Sequence, residues 1–429
     1  MTALAEKSKK GATAALDAPW PLVRLRDITT KIGSGSTPRG GADVYKESGI
    51  PLIRSMNVHF AGFKAVGLAF IDKSEAAKLS NVIVQPDDVL LNITGASIGR
   101  VTTAPDSMSG ARVNQHVCII RPKSGLLPQF LAHFFASSEQ QSQIMTVQVG
   151  ATRQALTKAM IENWQIPLPP LTEQRRIVAE IEQQFTRLDA GVAALRRLQA
   201  NLKRYRAAVL KAACESRLVP TATVWPIKPI SAAIDTLDQG WSPKCESEPS
   251  NSPETWAVIK TTAIQPLHFL EDENKSLPTA LKPRPHLAIQ SGDVLITRAG
   301  PRTRVGVACA VKTSRPRLML CDKAYRLRCK HDVATPAFIE LVLNAPHIVD
   351  ELDKLKTGIS DSGLNLTQNK FRDLQIPLPT LAEQTRIVAE VERRLSVIDE
   401  LETAVTVNIQ RATRLRQSIL RRAYSGQPA

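Results

Sequence analysis

The run from Ile166 to Leu218 constrains this chain most, because the chain writes it twice. It begins Ile-Pro-Leu-Pro-Pro-Leu-Thr-Glu-Gln-Arg-Arg-Ile-Val-Ala-Glu, and from Ile376 it returns as Ile-Pro-Leu-Pro-Thr-Leu-Ala-Glu-Gln-Thr-Arg-Ile-Val-Ala-Glu. The offset is 376 − 166 = 210 residues, and across these fifteen positions only Pro170/Thr380, Thr172/Ala382 and Arg175/Thr385 differ. The register holds without a gap through Asp189/Asp399, Arg204/Arg414 and Leu210/Leu420. A repeat of this length sets the fold before any local pattern does.

Each copy reads as a proline strut followed by a long helix. Ile181, Leu188, Leu195, Leu202 and Val209 recur every seven residues in the first copy, and Val391, Ile398, Val405, Ala412 and Ile419 do so in the second. Sustained heptads with charged residues between them predict a coiled-coil seam. Pro167, Pro169 and Pro170, and then Pro377 and Pro379, fix φ and hold the chain extended before each helix. Thr380 and Glu383 have the spacing of a capping box at the second start, and Gly426 is placed to stop that helix. Gly191 sits inside the first helix at a cost of about 1 kcal/mol.

Between the struts the pattern changes to strand-sized apolar pieces divided by Gly, Asn, Asp and Pro, among them Ile50–Ile53, Val89–Leu91 and Val117–Ile120. The second block echoes the first: Gln85-Pro86-Asp87-Asp88-Val89-Leu90-Leu91 corresponds to Gln290-Ser291-Gly292-Asp293-Val294-Leu295-Ile296, and Ile53-Arg54 to Ile259-Lys260. The predicted organisation is a flexible tail at 1–18, a mixed α/β domain at 19–165, a strut and helix at 166–218, a second mixed domain at 219–375, and a distal strut and helix at 376–426. The repeat leaves parallel and antiparallel pairing of the helices open.

Charge narrows the function. The chain carries 56 Lys+Arg against 40 Asp+Glu, a formal +16, and a surplus of this size points to a polyanion, nucleic acid first. A membrane is disfavoured, since no stretch approaches about 18 uninterrupted apolar residues. Between Arg298 and Lys330, ten basic residues face one acid, Asp322; Arg298, Arg302, Arg304, Arg315 and Arg317 are candidate DNA contacts on a basic face. The first block has a thinner set: Arg39, Arg54, Lys64, Arg100 and Arg112. Asn114-Gln115-His116 supplies amides able to bond an adenine edge, or else forms a structural turn. Gly33-Ser34-Gly35-Ser36-Thr37 is a turn or a contact to the DNA backbone.

Catalytic signatures are absent. The chain has no Gly-x-x-x-x-Gly-Lys-Ser/Thr loop and no His-Glu-x-x-His. The methyltransferase motifs Asn/Asp-Pro-Pro-Tyr/Phe and Asp-x-Phe-x-Gly-x-Gly are missing too. Glu273-Asn274-Lys275 reads as a solvated loop. Six cysteines lie scattered without a Cys-x-x-Cys pair, which suits reduced thiols and no metal site.

The chain resembles the specificity subunits of type I restriction–modification systems. The likeness is carried by the paired Ile-Pro-Leu-Pro-x-Leu-x-Glu-Gln segments, by Trp20, Leu25 and Asp27-Ile28, and by Gly35-Ser36-Thr37-Pro38, Tyr45 and Gly49-Ile50-Pro51. Asp88-Val89-Leu90-Leu91 and Gly95-Ala96-Ser97-Ile98-Gly99-Arg100 add to it. In the second block Trp241-Ser242-Pro243 is all that remains of the Gly-Ser-Thr-Pro segment. The resemblance implies an α+β chain of two target recognition domains separated by two long helices in an antiparallel coiled coil, a pseudo-two-fold duplication. It implies a non-catalytic, cytoplasmic, DNA-binding subunit reading a split, asymmetric site in double-stranded DNA. Its partners would be modification (methyltransferase) subunits, two of them, and restriction (translocase and endonuclease) subunits. Those partners, rather than this chain, would hold S-adenosylmethionine, ATP and Mg²⁺. Leu198, Tyr205, Leu401 and Leu415, apolar but off the seam, are candidates to receive the modification subunits.

Overall fold

The computed structural model describes residues 20–38, 40, 44–147, 155–221 and 224–425. The tail at 1–18, Arg39 and Gly426 lie outside the described residues. The chain divides into two compact units, Met1–Leu195 with Val407–Ala429, and Arg196–Thr406. Each long helix therefore contributes one end to each unit.

The first unit is built on a four-stranded antiparallel sheet in the order Thr29–Ser34, Val117–Pro122, Val89–Asn92, Val101–Thr103. Strand Val89–Asn92 is buried at every position because both faces of the sheet are covered. Val89 and Leu91 point into a cluster with Phe130, Phe134, Phe135 and Trp164, whereas Leu90 points the other way, among Leu52, Ile53, Ile71 and Ile119. The second cluster belongs to a three-stranded sheet, Ala69–Ile71, Ile50–Ile53 and Arg112–Val113, whose last pair is parallel.

The second unit repeats this plan. Its four-stranded sheet runs Ile234–Gln239, Ala324–Cys329, Val294–Thr297, Ala308–Ala310, and its three-stranded sheet runs Asn274–Ser276, Ala257–Ile259, Leu318–Met319. Again alternate residues of the central strand split between two cores, Val294 and Ile296 in one and Leu295 in the other. Glu273-Asn274-Lys275 is not a solvated loop. Asn274 opens an edge strand and is fully buried, its amide bonded to the backbone of Ser250 and Glu271.

In both units the chain enters and leaves through one short ladder. Leu22–Arg24 pairs antiparallel with Gln165–Pro167, and Ile227–Pro229 pairs antiparallel with Gln375–Pro377. The first proline of each strut thus ends a paired strand rather than lying in an isolated extended segment.

The helices run Leu171–Cys214 and Leu381–Tyr424, 44 residues and about 66 Å each at 1.5 Å per residue. The capping box is formed: Thr380 N–H donates to Glu383 Oε2 at 3.2 Å, and Glu383 N–H donates to Thr380 Oγ1 at 3.4 Å. Ile181, Leu202, Val209, Val391, Ile398, Val405 and Ala412 are buried and Leu188, Leu195 and Ile419 half-buried, as the heptads require. Within the first unit Ile177, Val178 and Ile181 share a core with Leu420 and Tyr424. Within the second, Val209, Leu210 and Ala213 share a core with Ile387 and Val391. In each unit the start of one helix meets the end of the other, so the pairing is antiparallel.

One position in the repeated motif locks strut, helix and globule together. Gln174 is fully buried; its Nε2 donates to Pro169 O at 2.9 Å and Gly125 O at 3.0 Å, and its Oε1 accepts from Leu127 N–H at 2.8 Å. Gln384 does the same with Pro379 O, Val333 O and Thr335 N–H, each at 2.9 Å. A side-chain amide with donor and acceptor both satisfied is stable at zero exposure where a carboxylate would not be. The Gln of the repeated Glu-Gln is explained by this bond set.

All six cysteines are free thiols. Burial pushes Cys118, Cys214 and Cys329 up to about 12 and Cys321 to about 11, which leaves them un-ionised and unreactive.

Candidate nucleic-acid interface

At one end of the four-stranded sheet in each unit, two loops are pressed together by a backbone that tolerates no side chain. In the first unit Gly35 N–H donates to Asn114 O at 3.2 Å, and a Cβ on Gly35 would stand 1.8 Å from Val113 O. In the second, Trp241 N–H donates to Leu320 O at 3.0 Å, and a Cβ on Gly240 would stand 2.2 Å from the same oxygen. Only glycine permits so close an approach. A third segment joins by matching bonds: Ile93 N–H to His116 O at 3.0 Å with Leu156 N–H to Ile93 O at 2.8 Å, and Arg298 N–H to Lys323 O with Leu366 N–H to Arg298 O, both 2.8 Å. The glycine approach and the third-segment bonds are shared by the two units, while the bond between the two loops shifts by one residue, from Gly35 N–H to Trp241 N–H.

The exposed side chains of this backbone platform are not shared. In the first unit Gln115 Oε1 accepts from Thr37 N–H at 3.4 Å, its Nε2 lies 3.3 Å from His116 Nε2, and Thr94 Oγ1 bonds His116 Nδ1. Asn114, a candidate either for an adenine contact or for a structural turn, is 4% exposed, and its Oδ1 accepts from His116 N–H at 3.0 Å. Asn114 forms the turn, and Gln115 carries the exposed amide. In the second unit Asp322 takes the place of Gln115 and Lys323 that of His116. Ser242 Oγ donates to Asp322 Oδ1 at 2.5 Å, and Arg284 lies 4.2 Å over the Trp241 ring. Beside them opens a cleft of 330 Å³ lined by Ser242, Lys260, Lys275, Asp322 and Lys323.

The structure gives most of the sequence-predicted arginines work inside their own unit. Arg54 Nη2 donates to Gly67 O at 2.6 Å, and Arg112 Nε to Ala76 O at 3.1 Å; burial holds the Arg112 guanidinium below its usual range. Arg298 donates to Asp322 O at 2.9 Å. Arg302 bridges Asp361 at 2.9 Å and Asp353 at 2.6 Å, bonds that raise it above its usual range, Asp361 foremost. Arg304 donates to Thr261 O at 2.6 Å and Ile264 O at 2.8 Å. Arg315 donates to Ser252 O at 3.0 Å and Thr255 O at 3.1 Å, and Arg317 pairs with Glu254 at 2.8 Å. Of the basic run from Arg298 to Lys330, only Lys323 and Lys330 have no side-chain partner among the described residues. Lys64 and Arg100 are likewise without one, Lys64 exposed and Arg100 half-buried.

Sequence reasoning did not find Arg284, Lys260, Lys275 or Asp322 as site residues, because they come from separate loops. The Trp241-Ser242-Pro243 remnant was the one available pointer, and it leads directly to the platform. Among the described residues no group of three or more His, Cys, Asp or Glu could hold a metal ion, and no helix is long and apolar enough to cross a membrane.

Comparison with known proteins gives one answer. Residues 18–195 match the family model for the type I restriction modification DNA specificity domain. Over 174 residues the chain is 40% identical to the EcoEI specificity subunit of Escherichia coli, a match spanning 41% of this chain but 29% of that one. It is 26% identical to the EcoKI specificity subunit of Escherichia coli strain K12, covering 95% of this chain and 89% of the relative. Among solved structures, a chain from work on assembly and conformational transition of a type I R-M system aligns over 94% of this chain and 97% of its own, with a TM-score of 0.72 at 20% identity. The HsdS subunit from Thermoanaerobacter tengcongensis aligns over 95% and 98%, with a TM-score of 0.58 at 22% identity.

Proposed function

We propose that this chain, which belongs to the type I restriction–modification specificity subunits, reads a bipartite, asymmetric site in double-stranded DNA, one half with each unit. The observation that carries the reading is the pair of matching platforms with unlike exposed side chains: one backbone frame used twice, with two different chemistries at its tips. Two unlike readers on one chain select two unlike half-sites. The formal charge of +16 supplies the sequence-independent attraction to phosphate on which such reading depends.

The chain acts without catalysing. Methyl transfer, and ATP-dependent translocation with cleavage, belong to modification and restriction subunits that carry S-adenosylmethionine, ATP and Mg²⁺. Two modification subunits dock on the helices, where Leu198, Tyr205, Leu401 and Leu415 leave 40%, 48%, 43% and 51% of their surface exposed off the seam.

The test is a domain exchange. Replacing residues 19–163 with the corresponding segment of another specificity subunit is expected to change one half of the methylated site and leave the other intact; altered methylation in both halves would overturn the reading. A structural scaffold with no DNA role is separated by salt: a DNA reader loses affinity steeply as salt rises, by roughly 0.9 logarithmic steps per phosphate contact, and a scaffold shows no such slope.

A further inference from the structure

The platforms hold more information than the presence of two readers. Aligned by the strand pairing, by the close approach of each glycine to a facing carbonyl and by the Ile93 and Arg298 backbone bonds, Gly35 corresponds to Gly240, Ile93 to Arg298, Leu156 to Leu366, Gln115 to Asp322 and His116 to Lys323. Buried members of the set are held to backbone duties. The exposed members have been replaced by side chains of different hydrogen-bonding type, and beneath them Ile93 gives way to Arg298, whose guanidinium donates to Asp322 O.

We infer that Gln115 and the Asp322–Lys323 pair are equivalent specificity-determining residues, the first reading an A·T pair in its half-site and the second a G·C pair in the other. This rests on the reading of the chain as a bipartite DNA reader and names the side chains that make the halves differ. The chemistry of the base edges decides the assignment. A Gln amide offers one donor and one acceptor side by side, the complement of adenine N7 and N6 in the major groove. Asp322 offers acceptors only, which suit the N4 amino group of cytosine, and Lys323 offers donors only, which suit guanine O6 and N7. Adjacent acid and base on one turn thus match the two edges of a single G·C pair.

Geometry supports the assignment independently of residue type. Gln115 and Lys323 are exposed and Asp322 half-exposed. Each carboxyl or amide oxygen is steadied by the loop across from it: Thr37 N–H on Gln115 Oε1 at 3.4 Å, and Ser242 Oγ on Asp322 Oδ1 at 2.5 Å. A base-reading side chain needs such support, because a freely rotating one loses entropy on contact that cancels the bond. Lys323 has no side-chain partner among the described residues, and Lys260 and Lys275 in the adjoining cleft add positive charge at the point of approach. Lys260 is 3.5 Å from Glu273, a loose pair that phosphate can replace.

The experiment uses the full chain, alone and co-expressed with type I modification subunits, to select from a randomised duplex library, followed by sequencing. Gln115→Ala and the double variant Asp322→Ala with Lys323→Ala are compared with the parent. Each is expected to relax one base pair, in its own half-site only, lowering discrimination there by about 5- to 150-fold, the range for one good bidentate contact. Asp322→Gln is expected to shift preference at its position from G·C toward A·T. Unchanged selection by both variants overturns the inference, as does a uniform loss of affinity across all sequences, which marks a phosphate contact. Thermal unfolding of each variant at the parent's midpoint excludes misfolding as the cause. If the parent itself selects no bipartite site, the underlying reading fails; if it does and the variants select the same site, only this inference fails.

Discussion

The two units are the same frame fitted with different tips, and the contrast shows which parts of a protein of this kind answer to folding and which to recognition. Sheet order, platform glycine, buried Gln and acid–arginine pairing all recur. Asp88 caps Gln85 and pairs with Arg121 at 2.7 Å; Asp293 caps Gln290 and pairs with Arg328 at 2.9 Å. On the exposed loops, by contrast, Gln115 and His116 in the first unit give way to Asp322 and Lys323 in the second.

If the recurring parts answer to folding, breaking them must cost stability in their own unit. The largest effect is expected at the buried amides. Gln384→Leu leaves Thr335 N–H, Val333 O and Pro379 O without their partner and should destabilise the second unit by about 2–4 kcal/mol, with Gln174→Leu doing the same to the first. Urea unfolding with amide exchange read unit by unit checks this, and equal loss in both units from one substitution would break the comparison.

Arg304 tests the boundary between frame and tip. Because its guanidinium is spent on the carbonyls of Thr261 and Ile264, Arg304→Ala should cost about 1–3 kcal/mol of stability. Lys323→Ala should leave the unfolding midpoint unchanged and weaken DNA binding. Interchanged outcomes would reassign both residues.

Next in size is a pH effect confined to one unit. Glu340 is buried where the first unit has Ala132; its Oε1 accepts from Ala310 N–H at 2.7 Å, and burial raises its pKa above 4.5. A carboxyl whose folded pKa is raised holds its proton longer folded than unfolded. Stability is therefore full below pH 4.5 and declines as pH rises through the folded value. Glu340→Gln should flatten that decline in the second unit and leave the first untouched, as measured by denaturant midpoints at pH 4.5 and 7.

The smallest effects are expected on the helices. Arg206 bonds Asp399, and Arg416 bonds the repeat-equivalent Asp189, both acids largely exposed, so each pair contributes well under about 1 kcal/mol. Arg416 also lies 4.0 Å over the Phe185 ring, whereas the second unit has Leu395 there. Arg416→Lys should therefore cost about 0.5 kcal/mol more than Arg206→Lys in thermal unfolding.

The sequence carried the helices well because their determinants are local: heptad spacing, Thr380–Glu383 and the prolines all act within a few residues. It carried the duplication because identity over a long run needs no structure to be seen. Arginines were harder. Counting Arg302, Arg304, Arg315 and Arg317 as a basic face registers their charge but not Asp361, Thr261, Ser252 or Glu254, which lie on other loops and absorb it. The platform was half legible: the Trp241-Ser242-Pro243 remnant marked the place, but that Asp322 and Lys323 stand beside it depends on strand pairing some 80 residues apart in sequence. Gln174 and Gln384 were visible as repeated letters whose reason appears only in the bonds they close.

The short ladders at the foot of each unit have a consequence for how such chains change over time. Leu22–Arg24 is zipped to Gln165–Pro167 by backbone hydrogen bonds, which are indifferent to side-chain identity. A genetic crossover on either side of the globule brings a foreign first strand against the resident second one, and the two ends still close on each other. Recombination can therefore exchange the globule whole in a single event, so long as its core still fits the helix ends that Ile177, Leu420 and Tyr424 bring to it.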